Sequence, residues 1–440
     1  MKFWFEVIIL IFISTVSHAE SECPALQNPI VDKATSNILE TSFKHLRKKD
    51  AYSGCLFFQE DIRIGDDFTF MNDLKPNALT RSWYRFGEPA PDKAYEHRAD
   101  LIQDLKKKDI SVGGGTSLSI INEHDFANAD FDPAWQSVDI AGKPIVKNPG
   151  TGAERKYASL SAPGFRSYLV KRLVEQAKLG VNELALGETN GMIQFDDYSL
   201  GVKGDEGFVQ WVKRKYPGKS LEWWNNYLGP VGSAIQKNKP VTREMFKAIE
   251  NNPNFKAEWG EPESWHGTSK DSKPAFLAYA YKKNLSKVMQ ELKSELKKNK
   301  LDHVAVDIWG TADWTNGVSP KPDAVLNSPP DERWGLNWNI DPNFDLIKNR
   351  ERIKNEMQKQ IKSAAPAKMV YMFDHPHPFF DSFVKLSDHR QAVLTKFFAD
   401  LSRELGAKFI LRSYTDVPGG PGTETKTAIA EICEKQKLQR

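Results

Sequence analysis

Residues 191–198 read Gly-Met-Ile-Gln-Phe-Asp-Asp-Tyr, a short apolar run that ends in two adjacent carboxylates. The run predicts a strand over residues 192–196. Because side chains alternate along a strand, Gln194 and Asp196 would point into the lumen of a barrel while their neighbours face the covering helices. Polar residues on the inner face, at the carboxyl end of a strand, predict a catalytic site.

Short strands and amphipathic helices alternate along the rest of the chain. The strands are rich in Val, Ile, Phe and Tyr, and we predict them over residues 55–60, 82–86, 110–113, 192–196, 303–309, 369–374 and 409–414, with a weaker eighth strand over 335–340. This order predicts an α/β fold in which a parallel sheet closes into a (β/α)8 TIM barrel. An open doubly wound sheet is the alternative, but the chain lacks the glycine-rich phosphate loop that gives such a sheet its ligand.

The segment that precedes residues 191–198 has two interpretations. Its apolar spacing predicts a helix over residues 164–186, which leaves Glu188 in a loop. The alternative is a strand over the last residues of that segment, which would end in a catalytic Glu188.

A single catalytic domain is predicted over residues 20–440, with a large insertion after the fourth strand at about residues 201–273. The insertion is rich in tryptophan. Loops at the carboxyl ends of barrel strands build the active site, so we expect the insertion to lie over that face. There Trp259 and Trp265 would offer flat ring faces to the apolar sides of sugars.

Acidic residues stand at or near the ends of the predicted strands: Glu60, Glu188, Asp196, Asp197, Asp307 and Asp374. Hydrolysis of a glycosidic bond needs one protonated and one ionised carboxyl group. Carboxylates crowded at one rim repel each other, which raises the pKa of some of them and keeps one protonated near neutral pH. We predict Asp196 as the leading catalytic residue with Asp197 beside it, Asp307, Glu60 or Asp374 as the partner, and Glu188 in reserve. The alternative role for such a residue is to cap a helix or to bind an arginine.

Other polar and aromatic residues near the strand ends and in the insertion are predicted to bind the substrate: Arg85, Tyr198, Trp259, Trp265, Trp309, His375, His377 and Arg412. The run Asp374-His375-Pro376-His377 has a spacing compatible with a metal ion, and it supports a metal-dependent polysaccharide deacetylase as an alternative function. Its adjacent prolines and the lack of a further histidine cluster favour substrate contact or a structural turn. We therefore predict no metal and no cofactor.

The composition predicts a globular protein, and the first residues of the chain predict export from the cytoplasm. The chain has 440 residues, of which 40% are hydrophobic and 27% charged, and its net charge of +3 is too small to predict a nucleic-acid partner. Residues 1–19 combine a lysine, a short apolar run and small residues, which predicts a signal peptide and a secreted or periplasmic protein. No later segment is predicted to span a membrane. Among three cysteines we predict a disulfide between Cys23 and Cys433, with Cys55 as a small core residue.

A segment of the chain resembles bacterial secreted glycoside-hydrolase-like barrels and is similar to the hydrolase domain of bacterial poly-N-acetylglucosamine-processing proteins. The resemblance rests on Pro163, on Arg166 with the helix that follows, on the Gly-Met-Ile-Gln-Phe-Asp-Asp-Tyr run, and on the helix that begins near Tyr281-Lys282-Lys283-Asn284. It covers roughly residues 155–310. The resemblance implies a barrel that cleaves a polysaccharide, with Asp196 or Asp197 as the acid.

These observations together predict a secreted glycoside hydrolase that cleaves a polysaccharide by carboxylate acid/base catalysis. Three substrate classes fit the residues: a cell-wall glycan that contains amino sugars, as for a lysozyme; an exopolysaccharide; or a plant or algal polymer. A barrel that binds carbohydrate without catalysis is the alternative from another functional class.

Overall fold

The chain divides into two units, Met1–Lys49 and Asp50–Arg440, and the described residues all belong to the second. The computed structural model describes residues 56–58, 78–84, 103, 106–108, 111–121, 125, 128–147, 155–187, 195–204, 206–260, 275–309, 315, 317–327, 345–374, 387–412 and 422–437. The predicted signal peptide at residues 1–19 lies outside these ranges, as do Cys23 and Cys55.

Eight parallel strands form a closed barrel in which each strand pairs with its neighbours in sequence. They are β1 (Leu56–Phe58), β2 (Ala78–Tyr84), β3 (Ser111–Ser117), β4 (Glu183–Gly187), β5 (Ala305–Trp309), β6 (Ala324–Asn327), β7 (Lys368–Asp374) and β8 (Lys408–Arg412). The ring closes where Phe57 of β1 pairs with Leu411 of β8. The predicted (β/α)8 architecture is confirmed.

The fourth strand is not the predicted one. Helix α1 (Pro163–Leu179) ends well before residue 186, because Gly180 takes a left-handed conformation with φ of 104° that stops the helix. The chain then enters β4, in which Leu184 and Leu186 pack into the core beneath the helices. Apolar residues two apart fit a strand, so the strand in this segment is confirmed and the helix through residue 186 is wrong.

The sixth strand was missed by the sequence analysis. The predicted strand over residues 335–340 lies outside the described residues, and the sixth position of the barrel is filled by β6 (Ala324–Asn327). This strand has only four residues, and all of them are buried. A run that short cannot display a two-residue period clearly enough to distinguish a strand from a loop.

Five long helices follow strands of the barrel: α1, α7 (Phe276–Lys298), α8 (Leu346–Ala364), α9 (Asp388–Glu404) and α10 (Thr423–Lys437). Their apolar faces pack on the outer side of the barrel in one continuous core that includes Leu173, Val288 and Val306. In α10, Cys433 is buried in this core and takes part in a disulfide bond.

Two additional structures interrupt the alternation of strands and helices. A three-stranded antiparallel sheet made of Ile120–Ile121, Val146–Lys147 and Arg155–Tyr157 lies between β3 and α1. Between β4 and α7 the described chain is helical, and its helices are α2 (Asp197–Leu200), α3 (Phe208–Lys215), α4 (Leu221–Gln236), α5 (Arg243–Ala248) and α6 (Pro253–Trp259).

The helices between β4 and α7 have a hydrophobic core of their own. The ring of Phe208 lies at its centre and makes edge contacts with Phe246, Phe255 and Phe276 at centroid distances of 5.3 to 6.1 Å. This segment therefore folds as a compact layer and is not a loose loop. Among the residues described, no helix is both long and apolar enough to cross a membrane.

Candidate active site

Parallel strands bring all their carboxyl ends to one rim of the barrel, and active sites of this architecture lie there. Six of the residues predicted for the site have described side chains: Asp196, Asp197, Tyr198, Trp259, Asp307 and Trp309. For Asp374 and Arg412 only the backbone is described. Six predicted residues lie outside the described residues: Glu60, Arg85, Glu188, Trp265, His375 and His377.

Strand β5 ends at the rim with an aromatic side chain. Val306 and Ile308 pack into the core beneath the helices. By alternation Asp307 and Trp309 face the interior of the barrel. Trp309 is the last residue of the strand and remains partly exposed. A partly exposed indole at a strand's carboxyl end can stack on the apolar face of a sugar ring.

Asp307 lies one layer deeper than Trp309 and is fully buried. One of its carboxylate oxygens accepts a hydrogen bond of 2.9 Å from the backbone N–H of Ala324 at the start of β6. A second hydrogen bond runs in the opposite direction: the carboxylate of Asp323, just before β6, accepts from the backbone N–H of Val306 in β5 at 2.8 Å. Asp307 therefore ties β5 to the short strand β6.

Two of the predicted acids lie at strand ends by their position in the chain. Asp374 is the last residue of β7 and pairs in register with Arg412, the last residue of β8. Glu188 follows Gly187, the last residue of β4. With β4 now identified, Glu188 takes the position at a strand end that the sequence analysis assigned to Asp196.

Asp196 is the N-cap of helix α2 and does not end a strand. One oxygen of its carboxylate accepts the backbone N–H groups of Tyr198 and Ser199 at 3.0 and 2.9 Å, and the other accepts the Ser199 hydroxyl at 2.9 Å. These bonds satisfy donors that the first turn of a helix leaves unpaired. The predicted lumenal orientation of Asp196 at the end of a strand is wrong, and its geometry is that of a helix cap.

The Asp196 carboxylate belongs to a buried polar network. The Ser199 hydroxyl is 3.1 Å from that of Ser161, which also accepts a hydrogen bond of 3.0 Å from the side-chain amide of Asn284. Asp196 is only 4% exposed. Burial raises the pKa of Asp196, although the hydrogen bonds from Ser199, Ser159 and Tyr198 oppose the shift.

This network contains the residues on which the family resemblance rests. Asn284 lies in α7, and Ser161 precedes α1, which begins at Pro163. Arg166 of α1 donates to the carbonyl oxygens of Leu160 and Ser161 at 2.8 and 3.3 Å. In this chain the motif therefore joins α1, α2 and α7 through buried hydrogen bonds.

Asp197 is paired with two cations. It accepts a hydrogen bond from a guanidinium N–H of Arg243 at 2.5 Å, and the ammonium group of Lys203 lies 3.2 Å from its other oxygen. Its side chain is 28% exposed. Tyr198, the next residue, packs against the main core and is partly buried. Arg243 was not among the predicted residues, and its distance in sequence from Asp197 gave no signal of this contact.

Trp259 lies in the core of the insertion. It is 5% exposed, and its ring stacks on Phe195 with a centroid distance of 4.8 Å and an interplanar angle of 15°. It also contacts Phe208 and Phe276. Because its ring faces are covered by other aromatic side chains, the expectation that Trp259 binds sugar is wrong.

Glu258, the neighbour of Trp259, is a buried acceptor. It accepts hydrogen bonds from the hydroxyls of Tyr216 and Tyr227, both at 2.5 Å, and from the ammonium group of Lys215 at 2.6 Å. Burial alone would raise the pKa of Glu258, but these three donors outweigh it and hold the pKa below its ordinary value. Through these three hydrogen bonds Glu258 joins α3, α4 and α6.

Two of the three glycines in the Gly113-Gly114-Gly115 run of β3, Gly114 and Gly115, lie directly against other parts of the protein. The side-chain amide of Gln176 in α1 accepts from the backbone N–H of Gly115 at 2.9 Å and donates to its carbonyl at 3.1 Å. A Cβ on Gly114 would lie 2.4 Å from the amide oxygen of Gln176, and one on Gly115 would lie 2.2 Å from the carbonyl oxygen of Ala185. Close packing accounts for these glycines.

A surface groove of about 590 Å³ lies between α1 and α7 and is lined by Lys171, Glu175 and Lys298 among others. Its lining comes from two covering helices and not from strand ends, so it is not the candidate active site. Among the described residues, no group of three or more His, Cys, Asp or Glu side chains is arranged to hold a metal ion.

Solved structures similar to this one include glycoside hydrolases. The glycoside hydrolase domain of PelA from Pseudomonas aeruginosa is 12% identical over 81% of this chain and 94% of that chain, with a TM-score of 0.38. An α-galactosidase from Thermus thermophilus is 11% identical over 87% of this chain and 62% of that chain (TM-score 0.42). Trehalose-6-phosphate hydrolase from Bacillus licheniformis is 10% identical over 83% and 64%, respectively (TM-score 0.44). No protein-family model and no curated protein sequence matches the chain.

Proposed function

We propose that this protein is a secreted or periplasmic glycoside hydrolase that cleaves a polysaccharide at the carboxyl-terminal rim of its barrel. The observation that carries the proposal is the closed parallel barrel, whose eight strands all end at one rim. Acidic residues occur at these ends in the chain, because Asp374 is the last residue of β7 and Glu188 follows β4 directly. Two carboxyl groups are what glycosidic hydrolysis needs.

Glu188 and Asp374 are the proposed catalytic pair, with Glu60 as a third acid near the end of β1. Strands β4 and β7 are separated by β5 and β6 in the ring, so their ends lie on different sides of the barrel mouth. A sugar bound over the mouth would lie between acids from these two strands. The carboxylates of Asp196, Asp197 and Asp307 are already engaged in contacts that hold helices and strands together, which favours the strand-end acids.

The substrate in this proposal is a polysaccharide that contains amino sugars, either a cell-wall glycan or an exopolysaccharide. Trp309 supports a sugar ligand, since its partly exposed indole lies at the end of β5 on the inner face. Arg412 would bind polar groups of the sugar beside Asp374. Arg85, Tyr198, Trp265, His375 and His377 remain predicted substrate contacts.

The test is release of reducing ends from purified peptidoglycan, poly-N-acetylglucosamine and partly deacetylated chitin. We expect turnover by the wild-type protein and a loss of about a thousandfold or more in Glu188→Gln and in Asp374→Asn, as for removal of a general acid or base. Glu250→Gln is the matched control, because Glu250 is exposed on the insertion. Binding of a glycan by the wild-type protein without any turnover would refute hydrolysis and favour the non-catalytic barrel.

A further inference from the structure

We propose that Arg243 is a positioning residue that anchors Phe195 and Asp197, where the connection from β4 enters α2. This inference rests on the proposed function, because that connection begins with Glu188. It concerns an arginine in α5, far from β4 in sequence and partly buried, with a side chain that is 17% exposed.

One guanidinium group binds three acceptors on two separate segments of the chain. One of its nitrogens donates to the carbonyl oxygens of Phe195 and Asp139 at 2.7 and 2.8 Å. The other donates to the carboxylate of Asp197 at 2.5 Å. Phe195 and Asp197 lie at the end of the connection from β4. Asp139 lies in the turn that precedes Val146–Lys147, an outer strand of the small antiparallel sheet. A planar fork with several N–H groups can make these contacts simultaneously, whereas a lysine ammonium is a compact point charge that cannot match the fork.

Arg243 is itself held in place by the core of the insertion. It is the first residue of α5, and the next turn of this helix carries Phe246, which is fully buried among Phe208 and Phe255. The Phe195 ring is stacked on Trp259 of the same core. The end of the connection is thus fixed by its backbone carbonyl, by its ring and by the charge of Asp197.

The start of the connection is fixed as well, because Gly187 is the last residue of β4 and pairs with Ser117 of β3. In this proposal the anchor at Phe195 and Asp197 helps to position Glu188, because fixing the ends of a chain segment lowers its conformational freedom. Loss of the Arg243 anchor would release one end. A catalytic group displaced by about 1 Å loses about a hundredfold in rate, while binding of an extended substrate is less affected.

The experiment compares Arg243→Gln and Arg243→Lys with Lys203→Gln. Lys203 contacts the same Asp197 carboxylate at 3.2 Å but not the carbonyl oxygens of Phe195 and Asp139, so its variant removes charge without removing the anchor. We expect Arg243→Gln to lower kcat on the polysaccharide that wild type cleaves by about ten- to a hundredfold with a smaller change in KM, and Arg243→Lys to recover part of the loss. Lys203→Gln should remain within about threefold of wild type.

Hydrogen exchange of the peptide that spans residues 188–203 provides a readout that needs no substrate. We expect this peptide to exchange faster in Arg243→Gln than in wild type or in Lys203→Gln, with unchanged exchange in β5 and α9. Asp197→Asn serves as a second variant should Arg243→Gln not fold, and it should show a smaller increase. Unchanged exchange over residues 188–203 in both variants would overturn the positioning role. Absence of turnover in the wild-type protein would instead count against the proposed hydrolase, and the exchange result would still decide the role of Arg243.

Discussion

Replacing Asp196 separates its role as a helix cap from a role in catalysis. Asp196→Ala removes three accepted hydrogen bonds, from the backbone N–H groups of Tyr198 and Ser199 and from the Ser199 hydroxyl. Loss of an N-cap costs about 1 kcal/mol, and a buried hydroxyl deprived of its partner costs about 1–3 kcal/mol. Asp196→Asn keeps an acceptor for the two N–H groups and can donate to the hydroxyl, so it preserves the cap.

The expected loss of stability for Asp196→Ala is therefore about 3 kcal/mol. For a cooperative unit the size of Asp50–Arg440, the entropy of unfolding is about 0.8 kcal/mol per kelvin, so the Tm should fall by about 4 °C. The assay is thermal unfolding followed by circular dichroism at matched protein concentration. At the acidic end of the pH range in which the protein is folded, the Tm of Asp196→Asn should lie within about 1 °C of that of wild type.

The difference between wild type and Asp196→Asn should depend on pH. Because burial raises the pKa of Asp196, the folded protein holds this proton more tightly than the unfolded chain does. The stability that the group contributes is fully present below its unfolded pKa of about 4 and is lost as the pH rises through the folded pKa. The Tm of Asp196→Asn relative to wild type should therefore increase from acidic to neutral pH.

A purely structural role for Asp196 would be contradicted by an Asp196→Asn variant that unfolds like wild type but has lost turnover by a factor of about a thousand. Such a variant would keep the cap and lack an essential carboxyl group, which is the behaviour of a catalytic acid. A Tm for Asp196→Ala equal to that of wild type would refute the capping role directly.

Three further predictions follow from other parts of the fold. Glu258→Gln should lower the Tm at neutral pH. Because the pKa of Glu258 is held low, the stability that this group contributes is present above its unfolded pKa and is lost as the pH falls through the folded pKa. The Tm values of wild type and variant should therefore converge in acid. Gly114→Ala should cost about 2 kcal/mol in urea unfolding, and truncating Gln176 to alanine in the same chain should recover part of that loss, which a double-mutant cycle measures. The partner of Cys433 can be identified by peptide mapping without reduction. We expect Cys55, because Cys433 is buried in the barrel core and Cys55 directly precedes β1. Recovery of a Cys23 peptide would refute this and confirm the pairing predicted from the termini.

The (β/α)8 barrel could be predicted because its signals are local. Strands such as β5 and β7 and the helix α7 each carry their own apolar period, and their order along the chain is enough to predict a parallel sheet. The fourth strand could not be placed in this way. Leu184 and Leu186 are two residues apart, yet together with the leucines of α1 they also fit a helical period, and only packing against β3 and β5 distinguishes the two.

For the acidic residues, too, the local sequence predicts one part and the packing of the chain settles the other. That carboxylates accumulate near strand ends can be read from residue order alone. That Asp196 caps α2, that Asp197 binds Arg243 and that Asp307 joins β5 to β6 follows only from the packed structure. The physical reason is that the partners of a carboxylate come from residues distant in sequence, and their hydrogen bonds, which no local pattern records, determine whether the group supports the fold or stays free to react.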